Sequence, residues 1–80
     1  MEIKVLGPGC ANCTMLYEIT EGAVKELGVE AKVLKVTDML QISLAGVMST
    51  PGLVVNGKLK HTGKPLPSAE KVKELIRQEL

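Results

Sequence analysis

The chain has 80 residues, 45% of them apolar, and ten basic against nine acidic side chains leave a net charge of +1. That length fits one domain spanning residues 1–80, which buries only about 60% of the surface its unfolded form exposes. Well-mixed charge with no basic face speaks against nucleic acid as a partner, and no apolar run approaches the roughly 18 residues of a membrane helix.

With one Tyr and no Phe or Trp, the core must be built from aliphatic side chains. Glu2 to Leu6 reads as a short strand, apolar at Ile3, Val5 and Leu6. Gly7-Pro8-Gly9 ends it, because Gly and Pro punctuate. Ala11 to Leu27 follows with helical spacing, Leu16, Ile19, Ala23 and Leu27 forming one stripe. Gly28 suits the left-handed residue after a helix. Ala31 to Val36 is β-branched and alternating, a second strand. Thr37-Asp38 is an N-cap signal, and Met39 to Ala45 reads as a short helix closed by Gly46. Leu53-Val54-Val55 and Lys58-Leu59-Lys60-His61 flank Asn56-Gly57, the signature of a type I′ hairpin. Pro67 and Ser68 open a last helix with Ala69, Val72, Leu75, Ile76 and Leu80 on its inner side. The order is β-α-β-α-β-β-α. A strand–helix–strand opening predicts parallel pairing through a right-handed crossover, and the hairpin makes the last two strands antiparallel. The expected fold class is α/β, a four-stranded mixed sheet flanked by three helices.

Gly7-Pro8-Gly9-Cys10-Ala11-Asn12-Cys13 holds both cysteines. The N-terminal residues carry no secretory pattern, so the cytoplasm is the expected location. A permanent structural disulfide is unusual there, and closing so short a loop restricts the unfolded chain little. A redox pair or part of a metal site remains. At a helix start, residues three apart share a face with Cα atoms about 5 Å apart, within the roughly 4.4–6.8 Å of a disulfide. Such a pair opens and closes with little backbone movement. The free N–H groups and the positive dipole end of the first turn favour thiolate over thiol. Cys10 is therefore expected to be the attacking nucleophile. Cys13, one turn deeper and more buried, is expected to resolve the mixed disulfide.

Gly9-Cys10-Ala11-Asn12-Cys13 after a first strand, and Val47-Met48-Ser49-Thr50-Pro51-Gly52-Leu53-Val54-Val55-Asn56-Gly57 before a hairpin, resemble the thioredoxin-like superfamily. The closest likeness is to its minimal members, the small glutaredoxin-like redox-active disulfide proteins of archaea and bacteria. It runs over nearly the whole chain, element order included. The resemblance implies that Gly9, Ala11 and Asn12 form the site loop around Cys10 and Cys13. It implies that Pro51 is cis and faces the pair, with the backbone edge of Thr50 turned toward an extended substrate strand. It also implies that Gly63 lets substrate backbone pass close to the site. Four departures stand out. No Trp precedes the first cysteine, the dipeptide between the cysteines is not Gly-Pro, and no Tyr stands close before them for glutathione. Lys4 occupies the position, six residues before Cys10, where many thioredoxins keep a buried Asp. No replacement base is evident, which leaves proton transfer to water or slows the reaction.

Met48 suits either the core or the apolar rim of a substrate groove, and Met15 and Met39 read as packing residues. Tyr17 packs by its ring. A copper-chaperone-like heavy-metal domain also uses Cys-x-x-Cys before a helix, and soft thiolates suit Cu(I) or Zn(II). Against it, Pro8 stands where that family places Met, and this chain finishes in a helical segment. A structural zinc needs four ligands, more than two cysteines and His61 supply, and His61 reads as a partly exposed strand residue. A redox-inactive thioredoxin-fold interaction module is the remaining alternative. The reading is thus a cytoplasmic thiol–disulfide oxidoreductase, a small thioredoxin- or glutaredoxin-like electron carrier. Its expected partners are protein disulfides and a separate thioredoxin- or glutathione-type reductase. It is expected to act as a monomer without cofactor or metal.

Overall fold

The computed structural model describes residues 1–80. Its elements are β1 (Glu2–Leu6), α1 (Ala11–Leu27), β2 (Lys32–Val36), α2 (Met39–Leu44), β3 (Gly52–Val55), β4 (Lys58–Thr62) and α3 (Ala69–Arg77). The sheet runs β2-β1-β3-β4. β1 and β2 are parallel, with Val5 opposite Lys35. β3 is antiparallel to both β1 and β4, and the β3–β4 register skips Lys60. Asn56 and Gly57 turn the hairpin with φ of 51° and 80°, the positive values a type I′ turn requires. Order, class and pairing match the sequence reading.

The sheet has two faces with unequal cover. Alternation along β1 sends Ile3 and Val5 one way and Leu6 the other. Ile3 and Val5 join Leu53, Val55, Leu16, Ala23, Val72, Leu75 and Ile76 under α1 and α3. Each fully buried Leu or Ile there contributes about 1.5–3 kcal/mol. Leu6 joins only Ile42, Val47 and Val54 under the short α2. Ion pairs tie the larger layer together: Lys73 Nζ bridges Glu26 of α1 at 2.9 Å and Glu70 at 2.7 Å. Lys58 and Lys60 meet Glu79, just past α3, at 3.2 and 2.7 Å. Both of these β4 lysines are therefore paired with the end of the chain.

Several expectations need correction. The buried stripe of α1 is Cys13, Leu16, Thr20 and Ala23; Ile19 and Leu27 pack at its margin. Thr20 is tolerated in the core because its hydroxyl donates to the Leu16 carbonyl at 2.8 Å. Met15 is exposed because it lies about 200° around the helix from Cys13. Met39 is exposed too, since α2 has six residues and presents only Ile42 to the sheet. α3 stops at Arg77, short of the expected end. Its last bonds tighten to three-residue steps, Glu79 N–H to Ile76 O and Leu80 N–H to Arg77 O. That rotates Leu80 into solvent, where it is 70% exposed. Ala69 is exposed as well.

Candidate active site

β1 delivers the chain to the cysteine segment, and α1 begins there. Cys10 is the N-cap of α1, with φ −69° and ψ 167°. That is one position earlier than the first turn assigned from sequence. Its Sγ accepts the Cys13 N–H at 3.3 Å, so sulfur does the capping that Ser or Asp usually does. The Cys10 side chain is exposed. Its pKa is lowered, chiefly because the Cys13 thiol donates to its sulfur and then because backbone N–H groups of Cys13 and Asn12 do the same. Cys13 sits at the head of the buried stripe, 6% exposed. Burial pushes its pKa up, and donation of its S–H to Cys10 adds to this. One thiol is thus poised to ionise and its neighbour to stay protonated.

Gly7 makes room for this pair. A Cβ there would lie 2.2 Å from Cys13 Sγ, 3.1 Å from Cys13 Cβ and 3.8 Å from Thr50 Cβ. The end of β1, the buried sulfur and the Thr50 side chain therefore converge where only hydrogen fits. Gly7 is held by its N–H to Val36 O at 2.9 Å. The Thr50–Pro51 bond is cis. Pro51 is fully buried, and its carbonyl accepts the Gly63 N–H at 2.8 Å. Gly63 has φ 73°, and a Cβ there would press Ser49 Cβ at 3.0 Å. His61 Nε2 reaches Gly63 O at 2.8 Å, so His61 serves the hairpin end. The N–H and C=O of Thr50 take no bond within the chain. Among the loop residues, Ala11 is exposed, Asn12 half-buried, and Gly9 exposed with φ 94°. Met48 is 96% exposed, which removes its core alternative.

A pocket of about 30 Å³, room for about one water, lies on the inner side of Cys13 and is lined by Val5, Gly7, Gly9, Cys13, Thr14, Lys35 and Thr37. Sequence reasoning missed Gly7, Lys35 and Thr37 as site residues. Lys35 arrives through the parallel register that sets it opposite Val5, a pairing no local pattern encodes. Lys4 is elsewhere. It lines a pocket on the α2 face with Leu6, Val36 and Gln41 and lies 3.6 Å from Glu2. A carboxylate at position 4 of this chain would not face Cys13. No three His, Cys, Asp or Glu side chains are clustered as metal ligands would be.

Comparison with known proteins points one way. A family model described as thioredoxin domain matches residues 1–77. A protein named thioredoxin from Methanothermobacter thermautotrophicus is 45% identical over 76 residues, covering 95% of this chain and 97% of that protein. A thioredoxin from Methanocaldococcus jannaschii is 38% identical over 78 residues, covering 98% and 88%. A second Methanothermobacter thermautotrophicus protein, named probable thioredoxin, is 33% identical over 76 residues, covering 91% and 87%.

Proposed function

The chain belongs to the thioredoxin family and is a thiol–disulfide oxidoreductase; from that premise we propose that Cys10 attacks and Cys13 resolves. The Cys10 thiolate attacks one sulfur of a substrate disulfide. A Cys10–substrate disulfide forms, and the other substrate sulfur leaves as a thiolate and takes a proton. Cys13 then loses its proton and attacks Cys10 Sγ. The Cys10–Cys13 bond forms, and the second substrate thiol is released. The substrate gains two electrons and the protein loses two. A separate thioredoxin- or glutathione-type reductase restores the dithiol. The observation that carries this assignment is the asymmetry of the pair: Cys10 is exposed and hydrogen-bonded as an acceptor, while Cys13 is buried behind it.

Substrates in this reading are protein disulfides presented on an extended strand. The unbonded backbone of Thr50 supports strand addition, with Gly63 giving clearance and exposed Met48 an apolar contact. Gly9, Ala11 and Asn12 shape the approach to Cys10. No helix is long and apolar enough to cross a membrane. Residues 1–80 act as one unit, a monomer, in the reducing cytoplasm where the dithiol is regenerated. An equilibrium titration against glutathione or dithiothreitol couples tests the cycle. A single two-electron transition assigned by mass to the Cys10–Cys13 disulfide is expected, and recycling assays with each reductase type then identify the electron donor. Failure of the pair to close on mild oxidation would sink the reading.

A further inference from the structure

Lys4 takes no part in the redox site, and its surroundings suit it to another task. Alternation along β1 turns Glu2, Lys4 and Leu6 to the α2 side of the sheet. The register sets Lys4 beside Leu34 of β2 and Val54 of β3, and Val54 beside Leu59 of β4. One lysine thus interrupts a cross-sheet row that is otherwise apolar. α2 has only six residues and packs around Leu6, so the row lies beyond its cover. A pocket of about 250 Å³ opens there. Leu6, Val36 and Val54 line it from the strands and Leu44 and Ala45 from α2, while Lys4 brings its one charged side chain. None of these residues lines the small pocket beside Cys13, which Val5 and Gly7 reach from the opposite face of β1.

The charges nearby favour an anion. Lys32 shares the face of Lys4 and stands opposite Glu2 in the β1–β2 register, so two ammonium groups accompany one carboxylate. α2 carries no charged side chain, and Asp38 before it is occupied in capping, accepting the Leu40 N–H at 2.8 Å. Glu2 Oε1 stands 3.6 Å from Lys4 Nζ, beyond hydrogen-bonding distance. The three donors of that ammonium are therefore open to an incoming acceptor. We propose that this pocket binds a small carboxylic acid with an apolar body, an arylalkyl or branched-alkyl monocarboxylate. Its carboxylate takes charge-assisted bonds from Lys4 in place of Glu2, and its apolar body rests on Leu6, Val54 and Leu44. The volume sets the size of the guest. An apolar cavity of roughly 150 Å³ holds benzene, and drug-sized ligands need about 300 Å³ or more; a ring with a short acid chain falls between. A protein partner needs an interface of roughly 1,200 Å² or more, far beyond what a pocket between one short helix and the sheet offers.

The test is an NMR titration of the isotope-labelled reduced protein with phenylpropionate, and with phenylpropionamide as its uncharged isostere. The acid should bind with a Kd of about 0.1–1 mM, as suits about eleven non-hydrogen atoms. Amide shifts are expected at Lys4, Val36, Leu44 and Gly57, with Cys10 and Cys13 unmoved. The amide should bind about tenfold more weakly. Lys4→Met should cost the acid about the same factor and the amide nothing. Glu2→Gln should tighten the acid about two- to threefold, because a competing carboxylate is gone. Leu44→Ser should weaken both ligands about threefold, and Lys71→Met, on α3, neither. Thermal melts show that each variant is folded. Equal binding of acid and amide, unchanged binding in a folded Lys4→Met, or shifts confined to other faces would overturn the proposal. Tighter binding of a short peptide ending in a free Phe carboxylate would assign the pocket to a polypeptide end and overturn it too. The binding is read without any thiol chemistry, so its failure leaves the cysteine roles standing, and failure of the redox titration leaves the pocket standing.

Discussion

Gly7→Ala asks whether the resolving sulfur needs the space that β1 leaves for it. The added methyl would stand 2.2 Å from Cys13 Sγ and 3.1 Å from its Cβ. Ordinary carbon contact lies at about 3.5–4.0 Å, so the sulfur is overlapped by more than about 1 Å. Sγ can turn about its one side-chain bond, but Cβ moves only with α1. The sulfur therefore swings off its line to Cys10 while the helix shifts slightly. Overpacking of this kind costs about 1–3 kcal/mol, or roughly 4–8 °C in Tm for each kcal/mol in a domain this small. The kinetic effect is larger, because a displacement of about 1 Å costs about a hundredfold in a positioned reaction. Quenched reactions with a protein disulfide, resolved by mass, should show normal attack by Cys10 and accumulation of the mixed disulfide. Resolution at the wild-type rate, with an unchanged melt, would refute the argument that Gly7 sets the position of Cys13.

Gly22 is exposed in the middle of α1 with open space around its Cα, so Gly22→Ala should raise stability by about 0.5–1 kcal/mol in urea unfolding, with no change in redox behaviour. Glu70 is held below the usual carboxylate range by Lys73, and Glu79 by Lys60 and Lys58. Depressed carboxylates stabilise above their unfolded value, about 4.3, and lose that contribution as pH falls through the lowered folded value. Lys73, raised by Glu26 and Glu70, has the opposite sense: its contribution is full below the ordinary lysine value and is lost as pH rises through the raised one. Lys73→Met should therefore flatten the acid limb of a urea-midpoint profile and also its alkaline end. Met48→Ser should raise KM for a protein disulfide about fivefold with kcat and Tm unchanged, as expected for lost apolar contact at an exposed side chain.

Local chemistry carried most of the fold into the sequence. Asn56-Gly57, Gly28 and the Asp38 and Ser68 caps each mark a boundary by backbone preference or hydrogen bonding, and the structure uses all four. The cysteine spacing was legible for the same reason: one helical turn is a local property. What the pattern hid was non-local. Thr20 reads as polar, yet its bond to Leu16 O lets it join the core. Lys35 reads as one more charge on a strand, and only the register with Val5 brings it to Cys13. Lys4 counted against the site by its distance from Cys10 along the chain, but strand alternation turns it to the other face. The second cis bond, Lys64–Pro65, has no counterpart in the sequence reading.

Trapping the mixed disulfide tests the division of labour between the two cysteines most directly. Each single Cys→Ser variant is mixed with a protein disulfide and the covalent adducts are counted by mass. Cys13→Ser should accumulate an adduct on Cys10, since the exposed, N-cap sulfur attacks and nothing resolves it. Cys10→Ser should give little, because Cys13 is buried and its thiol is held protonated. Adducts forming on Cys13 in Cys10→Ser, with none on Cys10 in Cys13→Ser, would contradict the account.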